Sequence, residues 1–347
     1  MTSVSTAALS QSLRYSLLRA QSDLMKAQKE LQTGVLADTG LALGARTAQT
    51  VSFTRDFERM QGIVDSNTLI SSRLKSSQDS LTQIHEAAQS FLSTLTTSSS
   101  GDAVGDVTRS AAKIMLEQLT SVLNTSFNGE HIFAGTNTDV TPIDDFSAPG
   151  SPAKAAFDAA FQAHFGFAKT DAAAASITAA QMDAFLTAAV EPQFLGVGWI
   201  ANWSSATDQR IVSRVTLTDT TETSVSANDP GLRKLAMAAA TISDLFDSEI
   251  GAGARQALLE KAVSLVGEAV GNIADLQATT GILQKRVSDA SDRLEVQIDL
   301  FERQIGDMTG VDPYEAKTRV DALLGQIEAS YALTARLQQL SILRFIS

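Results

Sequence analysis

The sequence predicts a mainly α protein: a long antiparallel helical bundle or coiled coil formed by the N- and C-terminal halves, with an inserted α+β lobe. Three observations carry this. Apolar residues recur at alternating steps of three and four near both ends of the 347-residue chain. The same period runs through long stretches inside those ends. It breaks only in the middle, where Pro142, Pro149, Pro152, Pro192 and Pro230 gather, five of the chain's six prolines.

The first helix carries Leu13, Leu17, Ala20, Leu24, Ala27 and Leu31, a heptad seam. It stops at Thr33-Gly34, where glycine can take a left-handed cap. The stretch 35–48, with Gly40 and Gly44, reads as a connecting loop. A longer helix follows, with Met60, Ile63, Asn67, Ile70, Leu74, Ser77, Leu81, Ile84, Ala88, Phe91 and Leu95 on one seam. Asn67 reads as a partly solvated polar residue on that seam; register specification is the alternative. The Ser/Thr/Gly/Asp-rich stretch 96–107 reads as a loop and 108–126 as a third helix. Asn128-Gly129 then signals a tight turn before a short strand at 131–136.

From 141 to 230 the expectation is two alanine-rich helices with a break near Gly166, then strands at Trp199, Trp203, 211–217 and 223–225. Helical period resumes at Leu232. A short helix ends before Gly251, and a long one spans about 254–308, with Leu258, Val266, Ile273, Leu283, Leu294 and Phe301 on its apolar face. Gly310 ends it. Asp312-Pro313-Tyr314-Glu315 then supplies an N-cap carboxylate, a proline preset for the first turn and an acid three residues after the cap. The helix so started carries Val320, Leu323, Ile327, Tyr331, Leu337, Leu340 and Leu343 and closes on an apolar run, so another surface is expected to cover it. The organisation read from this is nested: 1–45 an N-terminal assembly coil, 46–140 the first half of the helical core, 141–230 the inserted lobe, 231–310 the second half, and 311–347 a C-terminal assembly coil.

A net charge of -12 argues against a nucleic-acid or anionic-membrane binder. With no cysteine, disulfides, thiolate catalysis and thiolate metal sites are excluded. No apolar run approaches the roughly 20 residues that span a bilayer. The N-terminus shows no secretion signal with a basic and then an apolar region, so export, if it occurs, is expected by another route. His85, His131 and His164 are scattered, so no metal is expected. Gly196-Val197-Gly198 lacks the third glycine of a phosphate-binding fingerprint, and Asp144-Asp145 stands in a loop. No catalytic or cofactor-binding residue and no cofactor are assigned, and an enzyme is not expected.

Several segments carry a resemblance. Glu30-Leu31-Gln32-Thr33-Gly34 stands where the axial proteins of the bacterial flagellum stop their first coil. Asn124, and Phe127 through Thr136 (FNGEHIFAGT), are similar to those proteins' N-x-x-x-x-G-x-Y-L-F-A-G segment, with histidine at 131 where tyrosine is usual. Ala329-Ser330-Tyr331 and Leu340-Ser341-Ile342-Leu343 resemble their C-terminal coil. The stretch Ala37-Asp38-Thr39-Gly40-Leu41 departs from the usual D-D-P run. The chain thus resembles the flagellin-like hook-associated protein 3 family, the hook–filament junction proteins.

The resemblance implies a structural flagellar component with terminal helices in an inner layer and 141–230 facing outward. Its assembly interface would comprise Leu13, Leu17, Leu24 and Leu31 with Leu323, Ile327, Tyr331, Leu337, Leu340 and Leu343. The implied partners are the other hook-associated junction protein, flagellin, further copies of the chain in a ring or helical layer, the flagellar export apparatus and a secretion chaperone, with no nucleic acid and no membrane insertion. The implied location is extracellular, at the hook–filament junction, reached by type III export without a cleaved signal. A filament subunit is the alternative, and a cytoplasmic coiled-coil oligomer a further one.

Overall fold

The computed structural model describes the backbone of residues 6–98, 105–246 and 248–346, and within them the side chains of 8 and 11–336. The chain is mainly α, with long helices packed on one another. It divides into two compact units: residues 1–62 with 294–347, and residues 63–293. The division falls inside two long helices.

The first unit contains α1 (Thr6–Thr33), α2 (Thr39–Leu43), the start of α3 (Thr47–Ser98), the end of α10 (Ala252–Thr309) and α11 (Pro313–Ile346). α1 ends as its sequence requires. Gly34 takes φ 69° and its N–H returns to Glu30 O at 2.8 Å. α10 ends at Gly310, where a Cβ would meet Gly306 O at 2.5 Å, so only glycine fits. These two helix ends meet. Val311 N–H donates to Gly34 O at 2.9 Å and Leu36 N–H to Thr309 O at 2.8 Å, an antiparallel bridge between Val35 and Gly310. Asp312 Oδ1 accepts from Tyr314 N–H at 2.8 Å and starts α11. Glu315 does not close a capping box; it turns to Arg319 at 2.9 Å. The expected loop at 35–48 holds α2, capped by Asp38 through Leu41 N–H, and a 3-10 turn at Gly44–Arg46. Phe53 and Phe301 meet edge to face at 5.3 Å.

The second unit is built on a helix apolar on nearly every side. In α9 (Pro230–Leu245) every residue from Leu235 to Leu245 is buried, and its alanines 236 and 238–240 let neighbours approach closely. Against it pack α4 (Gly105–Leu123) and the α3 and α10 segments of this unit. The same apolar cluster takes in Phe157 and Phe161 of α5 (Pro152–Phe165), Met182 and Phe185 of α6 (Ala179–Phe185), Phe194 of α7 (Glu191–Phe194) and Trp199 of α8 (Gly198–Asn202). Segment 141–230 and the helices therefore share one core. α5 stops at Gly166 (φ 81°), the break the sequence shows. Between α6 and α7 one π turn (Leu186–Val190) precedes Pro192, which has no N–H to give a regular helix.

The two tryptophans are not in strands. They stack at 5.5 Å in and beside α8, with Phe146 and Phe194 on Trp203 at 5.1 and 4.7 Å. Asn228 holds this cluster through polar groups: its Oδ1 accepts from Trp199 Nε1 and Ser204 Oγ, both at 2.7 Å, and its Nδ2 donates to Ala206 O at 3.0 Å and Asp208 Oδ1 at 2.8 Å.

The described strands are two short antiparallel hairpins, β1 (Ser126–Phe127) with β2 (Glu130–His131), and β3 (Val212–Arg214) with β4 (Thr220–Glu222). Asn128 and Gly129 make the first turn with φ 52° and 84°, as the dipeptide requires. Arg286 on α10 holds the second hairpin through both oxygens of Asp219, at 3.0 and 2.8 Å, which lowers that carboxyl's pKa.

Asn67 is a correction. It is buried, and its Nδ2 donates to Val215 O at 3.0 Å and Ser291 Oγ at 3.1 Å. A half-buried charge cluster around the buried Asp244 joins α5 to α9. Asp244 accepts from Lys154 and, at 2.6 and 2.7 Å, from Lys169, whose ammonium also meets Asp158 at 2.8 Å. Burial works to lower the Lys169 pKa, but Asp158 and Asp244 together outweigh it and hold the ammonium above its ordinary range.

Candidate assembly surface

α1 and α11 pack along their lengths as an antiparallel pair. The seam is narrow. On α1, Ala20 and Ala27 are buried and Leu13, Leu17 and Leu24 half-buried. On α11, Ala316, Val320 and Ile327 are buried and Leu323 half-buried. Leu31 is exposed, because at the end of α1 it is Glu30 that turns inward. Tyr331 is 53% exposed, yet its hydroxyl accepts from Gln21 Nε2 at 3.0 Å. Leu337, Leu340 and Leu343 lie outside the described side chains.

Two features of this pair escaped the sequence reading. Glu30 is 8% exposed; its Oε2 accepts from Arg319 Nη1 at 2.9 Å and its Oε1 from Ala37 N–H at 3.1 Å. A glutamate one position before a seam leucine looks like a surface residue, and only its facing cation on the other helix shows otherwise. The second feature is the far side of α1. Leu18 and Met25, seven residues apart and so on one stripe, stand 61% and 65% exposed, with Tyr15 beside them. On α11, Leu324 and Leu333 are exposed too. The pair therefore buries one apolar face of α1 and leaves another in solvent.

Among the described residues no three metal-capable side chains gather, and no helix is long and apolar enough to cross a membrane. His131 Nδ1 lies 2.9 Å from Asn124 O and His85 Nε2 2.9 Å from Gln89 Nε2, so each is engaged locally.

Long packed helices and a terminal helix pair describe a mainly α helical-bundle protein. Comparison with known families makes this definite. Residues 4–138 match the bacterial flagellin N-terminal helical region, and residues 263–346 the bacterial flagellin C-terminal helical region. The chain belongs to the bacterial flagellin family and is a structural protein of the flagellum. Among solved structures it is similar to one described as "putative flagellar hook-associated protein from Vibrio parahaemolyticus". The two are 10% identical, with a TM-score of 0.52, over 76% of this chain and 97% of the other. No curated protein matches.

Proposed function

We propose that this chain is a hook-associated junction protein of the hook-associated protein 3 type, joining the hook to the flagellin filament. The observation that carries the reading is the α1–α11 pair with apolar side chains left on its outer side. Leu18 and Met25 stand in solvent on a helix whose other face is already paired, a surface suited to a further helix. The fold shared with the Vibrio structure, whose name refers to the hook, favours the junction over the filament. In this role the terminal helices bind further copies of the chain, the other junction protein on one side and flagellin on the other. Of the predicted interface residues, Leu13, Leu17, Leu24, Leu323 and Ile327 line the α1–α11 seam that carries that surface, the interface itself takes in Leu31, Tyr331, Leu337, Leu340 and Leu343, and segment 141–230 is the outward lobe. The chain reaches the cell exterior through the flagellar export apparatus, escorted by a chaperone.

Gene deletion with immunogold labelling tests the choice. A junction protein gives hooks without filaments and flagellin shed into the medium, and the label collects at one point near the hook. Label along the whole filament would assign the chain as a filament subunit. Met25→Asp tests the surface itself. Its side chain is exposed in the subunit, so thermal melting should not change, while incorporation should fail because the aspartate would be buried without a partner. Normal incorporation of Met25→Asp would remove the outer face of α1 from the interface.

A further inference from the structure

We infer that Glu30 sets the register of α1 on α11, and so is a positioning residue for the assembly surface; this rests on the assembly reading above. The seam between the helices is poor in shape. On α1 the buried apolar positions are Ala20 and Ala27, whose single methyls seat no large knob on the facing helix, and on α11 they are Ala316, Val320 and Ile327. The larger residues Leu13, Leu17, Leu24 and Leu323 are only half-buried. Val320 and Ile327 lie one heptad apart, so a heptad slip sets one branched aliphatic residue where the other was and apolar packing discriminates weakly among registers.

Glu30 does discriminate. Its carboxylate is buried, and each oxygen has a donor: Arg319 Nη1 from the facing helix and Ala37 N–H from the loop after α1. Arg319 is itself held by Glu315 at 2.9 Å, one turn earlier on α11. A heptad slip in one direction would set Gln326 against Glu30, and in the other Asp312. Neither brings a cation, and a buried carboxylate that loses its partner is costly. The same carboxylate, through Ala37, fixes the loop whose Gly34 and Leu36 form the backbone bridge to Thr309 and Val311. Facing helix and bridging loop thus meet at one side chain. The contact toward the other end, Gln21 with Tyr331, is exposed and constrains less.

Register matters here because the outer apolar residues lie on two helices. Leu18 and Met25 of α1 and Leu324 of α11 form one reproducible surface only if the helices cannot slide. A second copy binds that surface only if every subunit presents it alike.

The test is a distance measurement on the full-length chain. The sequence has no cysteine, so spin labels can be placed uniquely at Ser22→Cys and Gln326→Cys, both exposed positions. Dipolar spectroscopy should give one narrow distance distribution. With Glu30→Met and Arg319→Leu together, helical circular dichroism should persist, while a second population appears, from helices displaced along their axes by about 10 Å, one heptad at ~1.5 Å per residue. A single unchanged distribution would overturn the assignment. If the double variant loses its helical signal, Glu30→Gln decides. It keeps the side chain's shape, and broadening with intact helicity supports the assignment while an unchanged distribution overturns it. A double variant that slips yet still enters flagella would uphold the register role of Glu30 and overturn the assembly reading.

Discussion

The two units of this chain solve burial differently. Residues 63–293 enclose α9 almost completely and fill their core with two tryptophans and several phenylalanines. The other unit buries, among its apolar side chains, mainly alanines and single aliphatic residues. Fully burying a large apolar side chain contributes ~1.5–3 kcal/mol, whereas ordering one residue's backbone costs ~1–2 kcal/mol. Residues 63–293 thus have the means to stand alone. The α1–α11 pair spends nearly the same ordering entropy per residue on far less burial. A protein that must present its ends to other subunits has reason to leave them incompletely covered.

The most severe way to break this contrast is to delete 145–228. That removes Phe157, Phe185, Phe194 and both tryptophans from a core shared with α4, α9 and α10. Circular dichroism melts should lose cooperativity across the remaining helices. A retained cooperative melt would show that the segment is a separable lobe. Leu74→Ala comes next. Leu74 is fully buried beside Ile70, Val215 and Val287, so denaturant unfolding should show a loss of ~2–5 kcal/mol. Leu24→Ala, in the half-buried seam of α1, should cost under about 1 kcal/mol in the same measurement. Its effect should instead appear as faster amide exchange in α1 and α11, with residues 63–293 unchanged. An equal response of both units would show that they unfold as one.

The smallest expected effect is electrostatic. Burial raises the pKa of Asp229, the N-cap of α9, against the opposing pull of the Gly231 N–H and Arg210. The unfolded chain therefore ionises this group at lower pH than the folded one. Stability attributable to it is highest below the ordinary carboxylate range and falls as pH rises through the raised value. Asp229→Asn keeps a good cap and removes the charge. It should raise the melting temperature near neutral pH, with the gain vanishing as the medium is acidified below that range. A gain of equal size at low pH would refute the burial account.

Much of the fold was legible because helical signals are local. Gly34, Gly166, Asn128-Gly129 and the Asp312-Pro313 start each act through their own backbone within a few residues, and each works in the structure as its chemistry requires. The strand assignment at Trp199 and Trp203 failed because an aromatic run fits a strand or a buried helical turn equally well; the stacking partners and Asn228 decided. The burial of Asn67 is not legible in its neighbours along the chain, since its two acceptors lie 148 and 224 residues away.

By itself, then, the amino-acid sequence determined where the long helices stop at Gly34 and Gly310 and restart at Asp312, that both termini carry apolar seams, and, through its flagellar motifs, the family. Tertiary structure alone decided which face each seam turns inward. It placed Glu30 opposite Arg319, 289 residues on, left Leu18 and Met25 in solvent, and joined the middle segment's aromatic residues to the helical core. The physical reason is range. Caps and turns are satisfied by neighbours along the chain, whereas the cost of a buried charge or an uncovered apolar face depends on what lies opposite it in space.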